Sequence, residues 1–304
     1  FESWADFFAI QNAVFGVDAD SRLFVQGSLA FTGNLNLYMG QLAAGGTLIA
    51  EDVFLPGKWE QVMARERANG IYLIPSKLLM LPRVFKGVNA NIRTIISGSQ
   101  SLGRKDAEVL KKIFPNTEIT LYYGASELNY ITYVKSADMT EERNLIGKPF
   151  PGVRVFIQDD EMYVDNAFHV ENITVPYSLK DCGRMDLQGN FYFLGRTDDI
   201  VGVRGRKVSM MKIENALEEV AGITEAAVVL LPKEKDADMP AEIVSAFVTV
   251  EGTDVPENLR QQLKEKLADF EIPKRVIVLE AFPKNTSGKV DKARLKKMWI
   301  EQEP

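Results

Sequence analysis

Only one cysteine, Cys182, and one histidine, His169, occur in the 304 residues. A lone cysteine excludes an intramolecular disulfide framework and suits a reducing compartment, so a cytoplasmic location is expected. A lone histidine argues against a histidine-based metal cluster and against a His-dependent nucleophile triad. There is no long run of Lys and Arg and the net charge is −6, so nucleic acid is not an expected partner. No apolar stretch approaches a bilayer span and no leader peptide is recognisable, so no stable membrane insertion is expected. Internal repeats and low-complexity segments are also lacking. The composition that remains, 46 % apolar and 26 % charged, is that of a globular chain, with a length that suits about two domains.

Along the first half, short apolar runs alternate with amphipathic segments. Residues 22–26 read as a strand, 31–34 as a turn, 35–43 as an apolar helix stopped by Gly45-Gly46, and 47–50 as the next strand. A helix over 58–69 with Trp59, Val62 and Met63 inward is followed by a strand over 70–74. A strand over 93–97, a helix over 104–114 and a strand over 117–122 continue the alternation. The pattern implies a mainly parallel sheet with helices on both faces, and such sheets bind ligands at the carboxyl ends of their strands. After 147–152 the texture changes to short strands at 153–157, 162–164, 173–175 and 191–194, read as a small antiparallel β-subdomain. The polar stretch 195–199 reads as a linker. Beyond it an α+β pattern restarts: a helix over 212–220 with Ser209 as its cap, strands over 226–231 and 243–250, a helix over 257–270, and a strand over 275–279. The expected organisation is a large domain over 1–197, made of an α/β layer (1–146) and a β-subdomain (147–197), and a small α+β domain over 198–304.

Chemistry-bearing residues collect at a few of these junctions. At the end of one strand, Ser97-Gly98-Ser99-Gln100 lets a flat ring approach the backbone. Another strand ends in Tyr122-Tyr123-Gly124-Ala125-Ser126-Glu127. Tyr123 offers an aromatic face, Ser126 a hydroxyl that could donate to a phosphate, and Glu127 a carboxylate that suits a hard cation such as Mg²⁺. An ordinary strand running into a polar turn would look the same. Asp181 could accept two ribose hydroxyls, or cap its own turn. The run Asn285-Thr286-Ser287-Gly288-Lys289-Val290-Asp291 cannot build a core and reads as an exposed loop holding out one cation, Lys289. It is not a nucleotide P-loop, because Pro283 and Val290 stand where that motif needs Gly and Ser or Thr. A solvated lysine in a turn is the plainer account.

Taken together, these pieces resemble the adenylate-forming superfamily of acyl-CoA synthetases, amino-acid adenylation domains and firefly luciferase. The matching stretches are Tyr123 to Glu127, Gly147-Lys148-Pro149 with Pro151-Gly152, Asp181 to Arg184, Gly195 to Asp199, Arg204 to Val208, and Pro283 to Lys289. They keep the family's order and spacing over nearly the whole chain. The resemblance implies that Tyr123 and the Gly98–Ser99 turn sandwich adenine, with Gly124 allowing the turn. It implies that Ser126 contacts the α-phosphate, that Glu127 holds Mg²⁺, and that Asp181 and Arg196 bind the ribose. Asp198 would be a hinge, and the loop with Gly205, Arg206 and Lys207 would line a tunnel for a thiol. Lys289 would bridge the substrate carboxylate and the α-phosphate. The implied substrates are ATP, a small carboxylic acid and the thiol of CoA or of a carrier-protein pantetheine arm.

The family's Ser/Thr/Gly-rich phosphate loop is absent, and the chain opens on Phe1. The 304 residues are therefore expected to be a partial form, inactive alone, of a longer AMP-forming acyl-CoA synthetase. Leu179-Lys180 replaces the family's Thr-Gly before the ribose aspartate. Phe31-Thr32-Gly33 falls where amino-acid-activating members place an aspartate against the substrate ammonium. Thr32 has no charge to offer, and a buried ammonium without a carboxylate is heavily penalised. A fatty or aromatic acid without an α-amine is therefore expected, with Phe31, Thr32 and Gly33 around it. The competing expectations are an amino- or aryl-acid adenylation enzyme that loads a carrier protein, and a non-catalytic nucleotide-binding protein.

Overall fold

The apolar runs of the first 125 residues pair as one parallel array. Its strands are β1 (Arg22–Gln26), β2 (Thr47–Glu51), β3 (Gly70–Tyr72), β4 (Thr94–Gly98) and β5 (Glu118–Ala125), in the order β2-β1-β3-β4-β5. β3 and β4 are buried along their whole length, as strands covered on both faces must be. One face packs on Trp59, Met63, Leu110 and Phe114, from the helices Pro56–Arg65 and Arg104–Ile113 and the turn after the latter. The other packs on Phe7, Phe15, Leu37 and Tyr130, two of them from the helices Phe8–Phe15 and Thr32–Ala43. The computed structural model describes residues 2–203, 205–233, 242–285 and 290–301. They belong to two units, Phe1–Phe193 and Leu194–Pro304.

Several elements differ from the sequence expectations for identifiable reasons. The turn expected over 31–34 is the first turn of the helix Thr32–Ala43, with Phe31 extended at its cap. Its turn-forming residue Asn34 donates from Nδ2 to the carbonyl of Ser28 at 2.8 Å, so the side chain ties the preceding loop down instead of breaking the helix. The helix expected over 58–69 starts earlier, at Pro56, whose fixed φ suits a first helical position. It stops at Arg65, and Arg67 then takes a φ of 53°. No strand forms over 173–175; pairing begins at Tyr177, after Pro176, which has no N–H for a ladder. The helix expected over 257–270 is shortened to Leu259–Lys264, and the Glu271 carboxylate takes the Ala268 N–H at 2.8 Å.

The antiparallel strands β6 (Asn129–Lys135), β7 (Leu145–Pro149), β8 (Arg154–Gln158), β9 (Glu161–Asp165), β10 (Tyr177–Met185) and β11 (Phe191–Arg196) extend the same array. Beyond β5 the order runs β6-β7-β11-β10-β9-β8, so the antiparallel strands join the parallel ones in one eleven-stranded sheet. In the second unit, β12 (Ile200–Val203) and β13 (Arg206–Ser209) form a hairpin. The helix Met210–Glu218 follows, capped by Ser209 Oγ, which accepts the Lys212 N–H at 3.2 Å. β14 (Ile223–Pro232) pairs antiparallel with β15 (Glu242–Val250), which pairs parallel with β16 (Arg275–Val278). This sheet encloses Ile213, Leu217, Ala246 and Leu263. Among the described residues no helix is long and apolar enough to cross a membrane.

Gly147 sits in β7 with a φ of +80°, and a Cβ there would lie 2.0 Å from the backbone oxygen of Tyr133. Backbone cannot yield as a side-chain tip can, so Gly147→Ala is expected to cost roughly 2–4 kcal/mol. Urea unfolding of the chain measures this; an unchanged midpoint would contradict the packing described.

Candidate active site

The carboxyl ends of β4 and β5 meet at one place. Gly98 pairs in register with Tyr122, and a Cβ at Gly98 would fall 2.5 Å from the Tyr122 ring. Glycine is needed there for the ring to lie across the strand. Ser99 follows with a φ of 69°, turning the chain away at once. Gly124 has the same kind of constraint, since a Cβ would stand 2.5 Å from the Asn129 carbonyl.

Tyr123 and Asp181 are brought together although 58 positions separate them: the Tyr123 hydroxyl donates to Asp181 Oδ2. Asp181 is buried and sits where the pairing of β10 with β9 shifts register, just after Lys180 at a φ of 62°. The Tyr123 ring also approaches Phe193, with centroids 5.9 Å apart. An aromatic face and an acceptor carboxylate thus lie side by side, while at Gly98 the space where a side chain would begin is taken by the Tyr122 ring. That arrangement can hold a planar base and a sugar.

Ser126 is exposed at the end of the β5 turn, and its Oγ lies 2.9 Å from Thr32 Oγ1. Glu127 is half-buried and forms no ion pair among the described residues. No cluster of three or more His, Cys, Asp or Glu exists among the described residues. A cation here would be held by Glu127 and by a ligand's own phosphate oxygens, a donor set that fits Mg²⁺. Phe31 is 45 % exposed. Gly33 faces two buried phenols instead of open space: a Cβ there would lie 2.9 Å from Tyr122 Oη and 3.2 Å from Tyr72 Oη. That side of Gly33 is therefore filled.

The remaining expected residues lie in the second unit. Arg196 is exposed at the end of β11, and Asp198 lies in the turn Thr197–Asp199, its side chain outside the described residues. Gly205 and Lys207 are exposed on the β12–β13 hairpin, and the Arg206 guanidinium lies 4.8 Å from the Phe270 ring centroid. Arg204 and residues 286–289, Lys289 among them, lie outside the described residues.

Three features escaped the sequence reading. Tyr72, Tyr122 and Tyr130 form a buried phenol cluster; the first two hydroxyls are 2.8 Å apart, and Tyr130 Oη is 3.5 Å from the Gly33 carbonyl. A cavity of about 930 Å³ opens beside Thr32 and Ser126, bounded by Trp4, Asn36, Phe168 and His169. Three of its lining residues form a polar chain: Trp4 Nε1 donates to Asn36 Oδ1, and Asn36 Nδ2 donates to Asn129 Oδ1 at 2.7 Å. The spacing of Thr32 and Asn36, one helical turn apart, would have flagged the second as a neighbour of the first. His169 had no assignable role from sequence and stands on the cavity wall.

Known proteins resemble this chain in sequence and in fold. The model of the AMP-binding enzyme family matches residues 3–167, and that of the AMP-binding enzyme C-terminal domain matches residues 212–289. An uncharacterized acyl-CoA ligase of Bacillus subtilis, YhfT, is 25 % identical over 320 residues, covering 99 % of this chain and 64 % of the relative. CymA of Salinispora arenicola, a probable nonribosomal peptide synthetase, is 25 % identical over 317 residues, covering 92 % of this chain and 4 % of that protein. The solved O-succinylbenzoate coenzyme A synthetase of Bacillus subtilis, in complex with ATP and magnesium ion, superimposes with a TM-score of 0.83 at 19 % identity, over 97 % of this chain and 66 % of that one. This chain therefore spans less than two thirds of the length of the acyl-CoA ligase relative.

Burial raises the pKa of Tyr72, Tyr122 and Tyr130 well above the ordinary phenol value. In the unfolded chain they ionise near pH 10, so the stability tied to their neutral form is complete below about pH 10 and lost above it. Alkaline titration at 295 nm is expected to show these three phenols ionising only as the chain unfolds. Ionisation of all nine tyrosines around pH 10 with the fold intact would contradict their burial.

Proposed function

This chain belongs to the AMP-binding enzyme family, and on that premise we propose that it is the nucleotide-binding part of an AMP-forming acid–thiol ligase. The observation that carries the reading is the Tyr123–Asp181 hydrogen bond. Adenine would lie between Tyr123 and the turn at Gly98 and Ser99. Asp181 and Arg196 would bind the ribose hydroxyls. Ser126 would donate to the α-phosphate, and Mg²⁺ on Glu127 would neutralise the phosphate charge.

In the first half-reaction an oxygen of the substrate carboxylate attacks the α-phosphorus. The new acyl–O–P bond forms as the bond to pyrophosphate breaks. Two anions must approach for this to happen, and the ammonium of Lys289 would offset their repulsion in a site of low dielectric. In the second half-reaction the thiol sulfur of CoA or of a pantetheine arm attacks the acyl carbon. AMP leaves with the bonding electrons, and the thiol proton passes to solvent. Gly205, Arg206 and Lys207 would flank the thiol's path, with Asp198 as the pivot between the two steps. Thr32, hydrogen-bonded to Ser126, offers no carboxylate to an α-ammonium, so the acid is one without an α-amine. The relatives include both an acyl-CoA ligase and a probable peptide synthetase, which supports the shared adenylation step; a free CoA acceptor is the proposal. With one buried cysteine the protein would work in a reducing compartment such as the cytoplasm.

Calorimetry tests the nucleotide site. The chain is expected to bind AMP, and Asp181→Ala to weaken binding by about tenfold or more, the worth of hydrogen bonds to a charged group. An acid-dependent exchange of pyrophosphate into ATP is expected to be absent from this chain, which has no Ser/Thr/Gly-rich phosphate loop. Equal AMP affinity of Asp181→Ala and the unaltered chain would contradict the assignment of Asp181, and robust exchange by the chain alone would contradict its expected inactivity.

A further inference from the structure

Two directions lead away from Thr32. Toward the sheet the way is shut: the hydroxyls of Tyr122 and Tyr72 stand 2.9 and 3.2 Å from where a side chain at Gly33 would begin, and both rings are buried. On the other side the cavity of about 930 Å³ is open, and Thr32 and Ser126 both line it. We propose that the organic body of the acid lies in this chamber, between Leu35, Asn36 and Phe168–Val170, and that the acid is compact and carries a second hydrogen-bond acceptor. The inference rests on the adenylate reading above. With the α-phosphate at Ser126, an acyl group joined to that phosphate starts at this wall, where the chamber opens.

The lining argues for the class of acid. Leu35, Phe168 and Val170 alternate with Asn36, Asn129 and His169, so a long alkyl chain would strip water from polar groups and return nothing to them. A ring or short branched body can rest on the apolar members while a polar substituent meets the amides. Asn129 gives the clearest demand. Its Oδ1 accepts from Asn36 Nδ2 at 2.7 Å and from the Tyr130 N–H at 3.0 Å, which fixes which way the amide faces. Its Nδ2 is then left without a partner among the described residues, in a side chain only 6 % exposed. A buried donor left unmet is costly, and an acceptor on the ligand would remove that cost. The volume of the chamber is within the ordinary range for small-molecule sites.

The test uses this chain and non-hydrolysable acyl-sulfamoyl adenosines with acetyl, 4-hydroxybenzoyl and dodecanoyl groups, with calorimetric affinities as the readout. The 4-hydroxybenzoyl compound is expected to bind about tenfold or more tighter than the dodecanoyl one. Val170→Trp, at a position 44 % exposed, narrows the chamber without touching the core. It is expected to weaken the 4-hydroxybenzoyl compound about tenfold and the acetyl compound by no more than about twofold. Tyr122→Phe is expected to leave the order unchanged. Tightest binding by the dodecanoyl compound, or an equal effect of Val170→Trp on all three, overturns the inference while leaving the adenylate reading intact. Failure of AMP itself to bind overturns both.

Discussion

One hydrogen bond, from the phenol of Tyr123 to the carboxylate of Asp181, sets a constraint on the whole large unit. Asp181 is on β10 and Tyr123 on β5, four places apart in the strand order. In a flat sheet four steps of about 4.8 Å would part them by about 19 Å, far beyond the reach of a tyrosine. The sheet must therefore curl, and the chain carries the devices for it. Pairing shifts register at Tyr123/Gly124, at Phe191/Tyr192 and between Ser178 and Cys182, and Gly147 adds a left-handed residue against the Tyr133 carbonyl. Bulges and glycines of this kind sharpen local twist and bend a strand. The curl carries the antiparallel half's carboxylate to the parallel half's aromatic ring.

Seen this way, several glycines that punctuate the sequence have a shared cause. Gly98 admits the Tyr122 ring, Gly124 admits the Asn129 carbonyl, and Gly33 admits two phenol hydroxyls. Each exists to let another group come close. The tyrosines so admitted are buried and neutral, and they wall off the sheet side of the site. What stays open is the side facing the first turn of the helix Thr32–Ala43, where hydroxyls and amides gather.

The parallel half was legible because its strands are short β-branched or apolar runs between amphipathic helices, and the period changes at each Gly or polar break. Tyr123, Ser126 and Glu127 could be located from a strand end alone. The curl could not be read, because it depends on pairings between residues far apart in the chain, such as Phe191 with Gly147. How the β-subdomain's strands join the parallel ones in one sheet was therefore not visible. β6 was overlooked although the polar turn Ser126-Glu127 separates it from β5. Asp181 was singled out by residue type, but its contact with Tyr123 follows only from the bulge. The tyrosine cluster and the chamber were invisible for the same reason: Tyr72, Tyr122 and Tyr130 come from three strands or strand ends, and no local pattern joins them.

The most direct measurement is photolabelling of the chain with 8-azido-AMP, followed by mass-spectrometric mapping of the modified peptides. The account predicts label within residues 97–100 or 122–127, displaced by excess AMP, because the base would be held between those two strand ends. Label confined to other segments, or label at these segments that AMP does not displace, would contradict it.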